Sequence, residues 1–397
     1  MTTTLFRAIL SAVFILQATI SFAQDSTQKR THFYTGVYNE LPEYSNFPVI
    51  GVVNICNGNQ HNVQMGFTNV NQKNFAGAQI GFTNAIGGKG KGSQVGFANV
   101  CKDSFDGAAI GFVNLAGNRT DGAQIGFVNL SRSYLNGAQV GYINVAATTA
   151  EGAQIGFVNA CRDSLSGMQV GFLNAAGGKA DGVQVGFVNA TGRSMDGGQV
   201  GFVNVAADSL KGVQVGFVNA TGKHLNGAQV GFINIADSIS KGIPVGFISF
   251  VRKGGFKAIE ASYMEMYPFN LAFKTGVKAF YTTFVGSYNP DLKNKFALGA
   301  GIGSNIALGG NFFFNPEALS QVTFEKHPQQ IVSLNTLIGF TFAKRLSLIA
   351  GPDLVWLHKD GENDNTLYKP NTSLYYEKLD ARNSLHISAK AAFRVTF

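Results

Sequence analysis

The chain has 397 residues, enough for two domains, and carries 31 Lys and Arg against 23 Asp and Glu. That basic excess is modest and forms no stripe interleaved with aromatics, which speaks against a nucleic-acid partner. The 49 glycines recur at fixed positions, which sets the chain apart from low-complexity and disordered classes.

Residues 1–23 read as a secretory signal peptide. Arg7 precedes the apolar run Ala8 to Ile20, and Ser21-Phe22-Ala23 supplies small residues before Gln24. No cysteine follows the cleavage position, so no lipid anchor is expected there. Residues 24–47 are polar with scattered aromatics and read as a linker or N-terminal cap.

From residue 48 to 250 a fifteen-residue phrase repeats without insertion or deletion. Such a period outranks every other signal in a sequence. Numbering the slots from an anchor glycine, slot 2 is aromatic, as in Gly66-Phe67 and Gly141-Tyr142. Slot 4 is Asn in thirteen of fourteen copies, slot 12 nearly always Gly, slot 14 mostly Gln, and slot 15 Val, Ile or Met. The copy Gly212-Val213-Gln214-Val215-Gly216-Phe217-Val218-Asn219 is typical. Its β-branched and aromatic residues alternate with polar ones across slots 13 to 2, which predicts a strand, with Gly and Asn bracketing it as turn residues.

Every Lys, Arg, Asp and Glu between Gly51 and Phe250 falls in slots 7 to 11, and slot 10 is often apolar, as at Phe75, Phe105 and Leu135. This predicts one solvated edge from which a single residue dips into a core. Fixed length and repeated slots predict a parallel β-solenoid, its coils burying apolar slots and stacking Asn ladders at slot 4. The rival is an antiparallel membrane barrel with one strand per copy. It would demand two alternating turn types and a thirty-residue period, and neither occurs. It would also set slot 4 Asn on one face with slots 15 and 2, among lipid-facing residues. Cys56, Cys101 and Cys161 all occupy slot 6, too many coils apart for a disulfide, and read as small buried residues. Pro48 and Pro244 are expected to mark the two ends of the stack.

Residues 251–397 lose the period and take up longer alternating strands. In the last, Leu385, Ile387, Ala389, Ala391, Phe393, Val395 and Phe397 alternate with Ser384, His386, Ser388, Lys390, Ala392, Arg394 and Thr396. One face suits lipid and the other a polar interior. Further strands are expected at Phe256–Tyr267, Phe273–Val285, Lys295–Gly303, Ile306–Phe314, Val332–Ala343 and Leu346–Leu357, with Ile243–Val251 as a further candidate. Tight connections at Ser304-Asn305 and Lys344-Arg345 alternate with longer polar ones. The fold class predicted is thus all-β: a fifteen-residue-repeat parallel β-solenoid followed by a small antiparallel, about eight-stranded, outer-membrane-type β-barrel. A soluble β-sandwich is the competing form for the tail.

The Gly-x-Gln-x-Gly-Phe-x-Asn phrase, seen at Gly122 to Asn129, resembles that of exported bacterial surface-repeat proteins common in Bacteroidetes. The resemblance covers residues 51–250. Phe393, Val395 and a C-terminal Phe397 resemble the recognition signal of bacterial outer-membrane barrels. Together they imply an outer-membrane location, repeats facing the cell exterior or the periplasm, and the membrane and its barrel-assembly machinery as partners.

No pairing of acid, base and nucleophile stands out. The six His are scattered, metal-ligand spacings are absent, and Gly299-Ala300-Gly301-Ile302-Gly303 lacks the following helix that a phosphate loop requires. Neither catalytic residues nor cofactor or metal ligands are assigned. Asp103, Asp163 and Asp208 share slot 8, where a solvated edge accounts for them. One binding face is a candidate: the Gln ladder of slot 14, Gln124, Gln139, Gln154, Gln169, Gln184, Gln199, Gln214 and Gln229, set on a flat surface that a glycan or surface-protein ligand would meet. The expected function is a non-enzymatic outer-membrane or cell-surface structural or binding protein of adhesion type. The alternative is a pore or transport protein in which repeats and tail close one large barrel.

Overall fold

The computed structural model describes residues 34–41, 44–292, 295–324, 328–359 and 373–397. The expected signal peptide lies outside them. All regular elements are strands, in two sheets.

The repeats form a parallel β-solenoid. Each strand pairs with the strand fifteen residues on, in constant register, as Asn129 with Asn144 and Gln139 with Gln154. The large-barrel alternative is therefore not the architecture, since every pairing in the rod is parallel. Each coil has two strands, typified by Ala150–Ile155 (slots 10 to 15) and Val158–Cys161 (slots 3 to 6). The expected strand across slots 13 to 2 is corrected: Gly and the aromatic make a corner, and Asn lies inside the second strand. The corner exists because slot 1 has no room for a side chain. A Cβ on Gly156 would sit 1.8 Å from the Gly141 carbonyl oxygen.

Tyr34–Leu41, within the segment expected as a linker or cap, pairs in parallel with Val49–Cys56 and places Gly36 and Asn39 in slots 1 and 4. It is an additional coil, making fifteen from Gly36 to Gly246. Pro48 consequently lies inside the stack rather than at its start. Its degenerate aromatic slot, Val37, hid the coil from the period.

The tail is a closed antiparallel barrel of eight strands: β1 (Phe256–Tyr263), β2 (Phe269–Val277), β3 (Phe280–Tyr288), β4 (Phe296–Gly303), β5 (Phe312–Thr323), β6 (Gln329–Ala343), β7 (Leu346–Lys359) and β8 (Asn383–Thr396), with β1 pairing β8. The number expected is right but the members differ. Phe273–Val285 folds as the hairpin of β2 and β3 around Lys278-Ala279, while Ile243–Lys253 ends the solenoid. The short turns at Lys278-Ala279 and Lys344-Arg345, the start of β1 and the end of β8 lie at one rim.

Candidate functional site

Four slots point into the rod: 4, 6, 10 and 14. Apolar side chains of slot 10, such as Leu135, Leu165, Met195 and Leu210, pack with small residues of slot 6. The rest of the interior is amide. Asn144 donates from Nδ2 to Asn159 Oδ1 at 2.9 Å and to the Ile155 carbonyl at 2.9 Å, tying the two strands of its coil across the corner. Asn ladders of this kind run from Asn39 to Asn234 and donate forward along the chain. The Gln ladder donates backward, as Gln154 Nε2 to Gln139 Oε1 at 2.8 Å, so the two rows of side-chain dipoles oppose one another.

The expected Gln binding face is therefore corrected. Gln124, Gln139, Gln154, Gln169, Gln184, Gln199, Gln214 and Gln229 are 0–1% exposed and line the interior. An amide that finds partners in the coils above and below satisfies its polar atoms without water, so a continuous Gln row is stable inside. The rod's buried rings are Phe75 and Phe105 at slot 10, on either side of Gly90.

The slot 2 aromatics stand outside. Phe67 through Phe247 form an unbroken row of thirteen rings with centroids 4.8–5.0 Å apart and nearly parallel planes. At ~4.8 Å per coil the row is on the order of 60 Å long. Phe157 is 41% exposed and Ile155 beside it 42%, and Val158 of slot 3 flanks the other side. Isolated surface hydrophobics are ordinary, but at roughly 200 Å² per aromatic side chain these half-exposed rings make a patch on the order of 1,000 Å², about two- to threefold above a typical monomer's largest. The opposite edge carries all the charge between Gly51 and Phe250, with exposed pairs such as Lys211–Asp196 at 3.1 Å and Lys223–Asp208 at 2.7 Å. Asp103 and Asp163 lie on this solvated edge as expected.

The cysteines are buried and unpaired in slot 6, as the spacing implied. Burial pushes the thiols up, to about 12 for Cys56 and about 11 for Cys101 and Cys161.

The barrel is apolar outside and charged within. Its outward positions include Leu271, Leu298, Leu334, Ile338, Leu348 and Phe393, and Lys257 at the start of β1 is the lone charged side chain among the outward positions of β1 to β8. Phe393, Val395 and Phe397 share the outward side of β8, as the alternation requires. Inside, Lys274, Lys390 and Arg394 surround Glu260 and Glu317. Lys390 Nζ lies 3.1 Å from Glu317 Oε2, and Arg394 Nη2 lies 2.6 Å from Glu260 Oε2. Lys274 bridges both carboxylates, and Tyr281 donates to Glu317 Oε1 at 2.8 Å. The five charged side chains are at most 3% exposed. Lys390 and Arg394 were legible as interior residues. Their carboxylate partners come from β1 and β5, which only barrel closure brings together.

Rod and barrel meet end to wall. In each coil the slot 1 and slot 4 carbonyls point toward the coil that follows. In the last coil the barrel takes the next coil's place: Thr282 donates to the Gly246 carbonyl at 2.7 Å and Thr275 to the Ser249 carbonyl at 2.6 Å. Both threonines lie on the barrel's outer wall, so the open ladder edge of the rod is covered. Val277 packs into the rod's core beside Val251, and Phe247 meets Phe284 edge-on at 4.9 Å.

Among the described residues, no group of three or more His, Cys, Asp or Glu is placed to hold a metal ion. No family model, curated protein or solved structure matches the chain.

Proposed function

We propose that this chain is a non-enzymatic outer-membrane protein whose barrel anchors the repeat rod as a structural or binding element. The observation that carries the reading is the barrel's inverted polarity. Its outward positions are apolar around the circumference, and the charge of its strands lies in the lumen apart from Lys257 at the rim. A soluble barrel reverses that arrangement, because exposed leucines and phenylalanines bring solvation cost and aggregation. The buried charge cluster favours an anchor over a pore, because its five charged side chains pair with one another across the lumen and are at most 3% exposed.

In outer-membrane barrels short turns lie on the periplasmic side. The rod leaves from the rim that bears the short turns, which favours a periplasmic rod. Assembly through the Phe393, Val395 and Phe397 signal belongs to the same proposal. The test is expression of the full chain in a Gram-negative host. The membrane fraction should retain the protein through alkaline carbonate, and its electrophoretic mobility should shift on boiling. Release by carbonate without a mobility shift would refute the anchor.

A further inference from the structure

We propose that the rod lies flat on the membrane, with its aromatic edge dipped into the acyl–headgroup boundary of the leaflet next to the barrel's short-turn rim. The inference rests on the reading of the barrel as a membrane anchor.

Three observations carry it. First, the end-to-wall junction sets the direction of the rod. The two capped carbonyls point along the stack into the outer wall of β2 and β3, so the rod axis runs roughly perpendicular to that wall. For a barrel standing upright in a bilayer, the rod is then parallel to the membrane plane.

Second, the junction sets which edge faces the membrane. Outward residues of β2 and β3 form rows by their register: Val277 with Phe280 nearest the rim, then Thr275 with Thr282, then Phe273 with Phe284. The first row touches the rod's core, the second caps slots 1 and 4, and the third meets the slot 2 ring of Phe247. Climbing the barrel wall from rim to middle therefore leads across the rod toward its aromatic edge. The ring row runs straight onto the barrel's apolar belt. The charged edge points the opposite way, into water. Phe284 stands two residues deeper than Thr282, about 7 Å along a strand, within the ~5–10 Å depth at which interfacial amphipathic elements bury their apolar side.

Third, the amphipathy is continuous over fourteen of the fifteen coils, the exception being the first, where Glu40 stands at slot 5. Slots 12 to 6 of every copy between Gly51 and Phe250 lack Lys, Arg, Asp and Glu. A second copy seated spine to spine would also cover the rings, but it would not require the row to continue onto the barrel's belt. Lys257, whose Nζ lies 4.1 Å from the Phe250 ring centroid, stands at the rim where a headgroup phosphate would meet it.

The experiment uses the full chain, refolded into phospholipid vesicles with and without brominated acyl chains. Trp356, the only tryptophan, lies outward on β7 and reports on the barrel. A Phe157→Trp reporter in a Trp356→Phe background reports on the aromatic edge, and Thr149→Trp in the same background on the polar edge. Bromolipid should quench the Phe157→Trp signal at least twofold and leave Thr149→Trp unchanged. Quenching of Trp356 without quenching of Phe157→Trp would overturn the proposal while leaving the anchor intact. If that unquenched signal is also blue-shifted in proportion to protein density in the vesicle, a second copy covers the edge, and the proposal is equally overturned. Absence of quenching at Trp356 would instead refute the anchor reading itself.

Discussion

Asn159→Ala tests whether the interior amides hold the rod together. The Asn159 side chain donates to Asn174 Oδ1 and to the Val170 carbonyl, each at 2.9 Å, and accepts from Asn144 Nδ2 at 2.9 Å. Truncation leaves an Nδ2 hydrogen and an Oδ1 in the neighbouring coils without partners, in an interior from which water is excluded. At ~1–3 kcal/mol for each of these two orphaned buried polar groups, the expected loss is about 2–6 kcal/mol. Gln154→Ala is the control. The chain already interrupts the Gln row at Ala109, a buried apolar residue, whereas the Asn row is continuous from Asn39 to Asn234. Gln154→Ala also orphans two groups, Gln139 Oε1 and a Gln169 Nε2 hydrogen, but the break tolerated at Ala109 places its cost at the low end, about 2–3 kcal/mol. Urea titration of the detergent-solubilised full chain, followed by far-UV circular dichroism, separates the two. With m about 2 kcal/mol/M, Asn159→Ala should lower the rod's midpoint by roughly 1–3 M. Equal shifts, or a shift below that of Gln154→Ala, would refute the assignment of the Asn ladder as the rod's principal tie.

Two glycines separate steric need from composition. Gly156→Ala would press a Cβ to 1.8 Å from the Gly141 carbonyl and should unfold several coils by circular dichroism, while Gly198→Ala meets nothing closer than 3.9 Å and should be neutral or stabilising by ~0.5–1 kcal/mol. The cysteine thiols, raised to about 11 to 12, should resist a thiol-specific disulfide reagent at pH 8 until denaturant is added. Because their folded values exceed the unfolded value near 9, the unfolded state sheds protons first, so rod stability should be unaffected below pH ~8.5 and fall between pH ~9 and ~11. In the lumen, Glu317→Ala strands Lys274 and Lys390 against a single carboxylate and should lower barrel stability by about 3–5 kcal/mol, read as a lower temperature for the mobility shift in detergent. Triple replacement by Glu317→Leu, Lys274→Met and Lys390→Met should recover much of that loss.

The period, the coil length, the parallel stacking, the Asn ladder and the unpaired cysteines all follow from sequence, because each depends on a residue meeting its own copy in the next coil. A strict fifteen-residue spacing dictates those meetings whatever the cross-section looks like. The polarity of β8 was legible for a similar reason, since strand alternation assigns faces locally. Which face of the coil turns inward was decided only by tertiary structure. Gln at slot 14 and Phe at slot 2 fit either side of an alternating pattern. The choice depends on which row is better satisfied inside, amides that bond along the axis or thirteen stacked rings. The first coil keeps only Gly36 and Asn39 of the repeated slots, since Val37 replaces the aromatic, Phe47 the slot 12 Gly and Val49 the Gln. In the lumen, alternation assigns Lys390 and Arg394 to the interior, but their pairing lies beyond sequence reading. Glu260 and Arg394 are 134 residues apart, and nothing local couples them until β1 closes on β8. The same holds for the junction, where two threonines on a barrel wall stand in for the next coil. Their hydroxyls meet the Gly246 and Ser249 carbonyls only because the rod's last coil and the barrel's wall are brought into register.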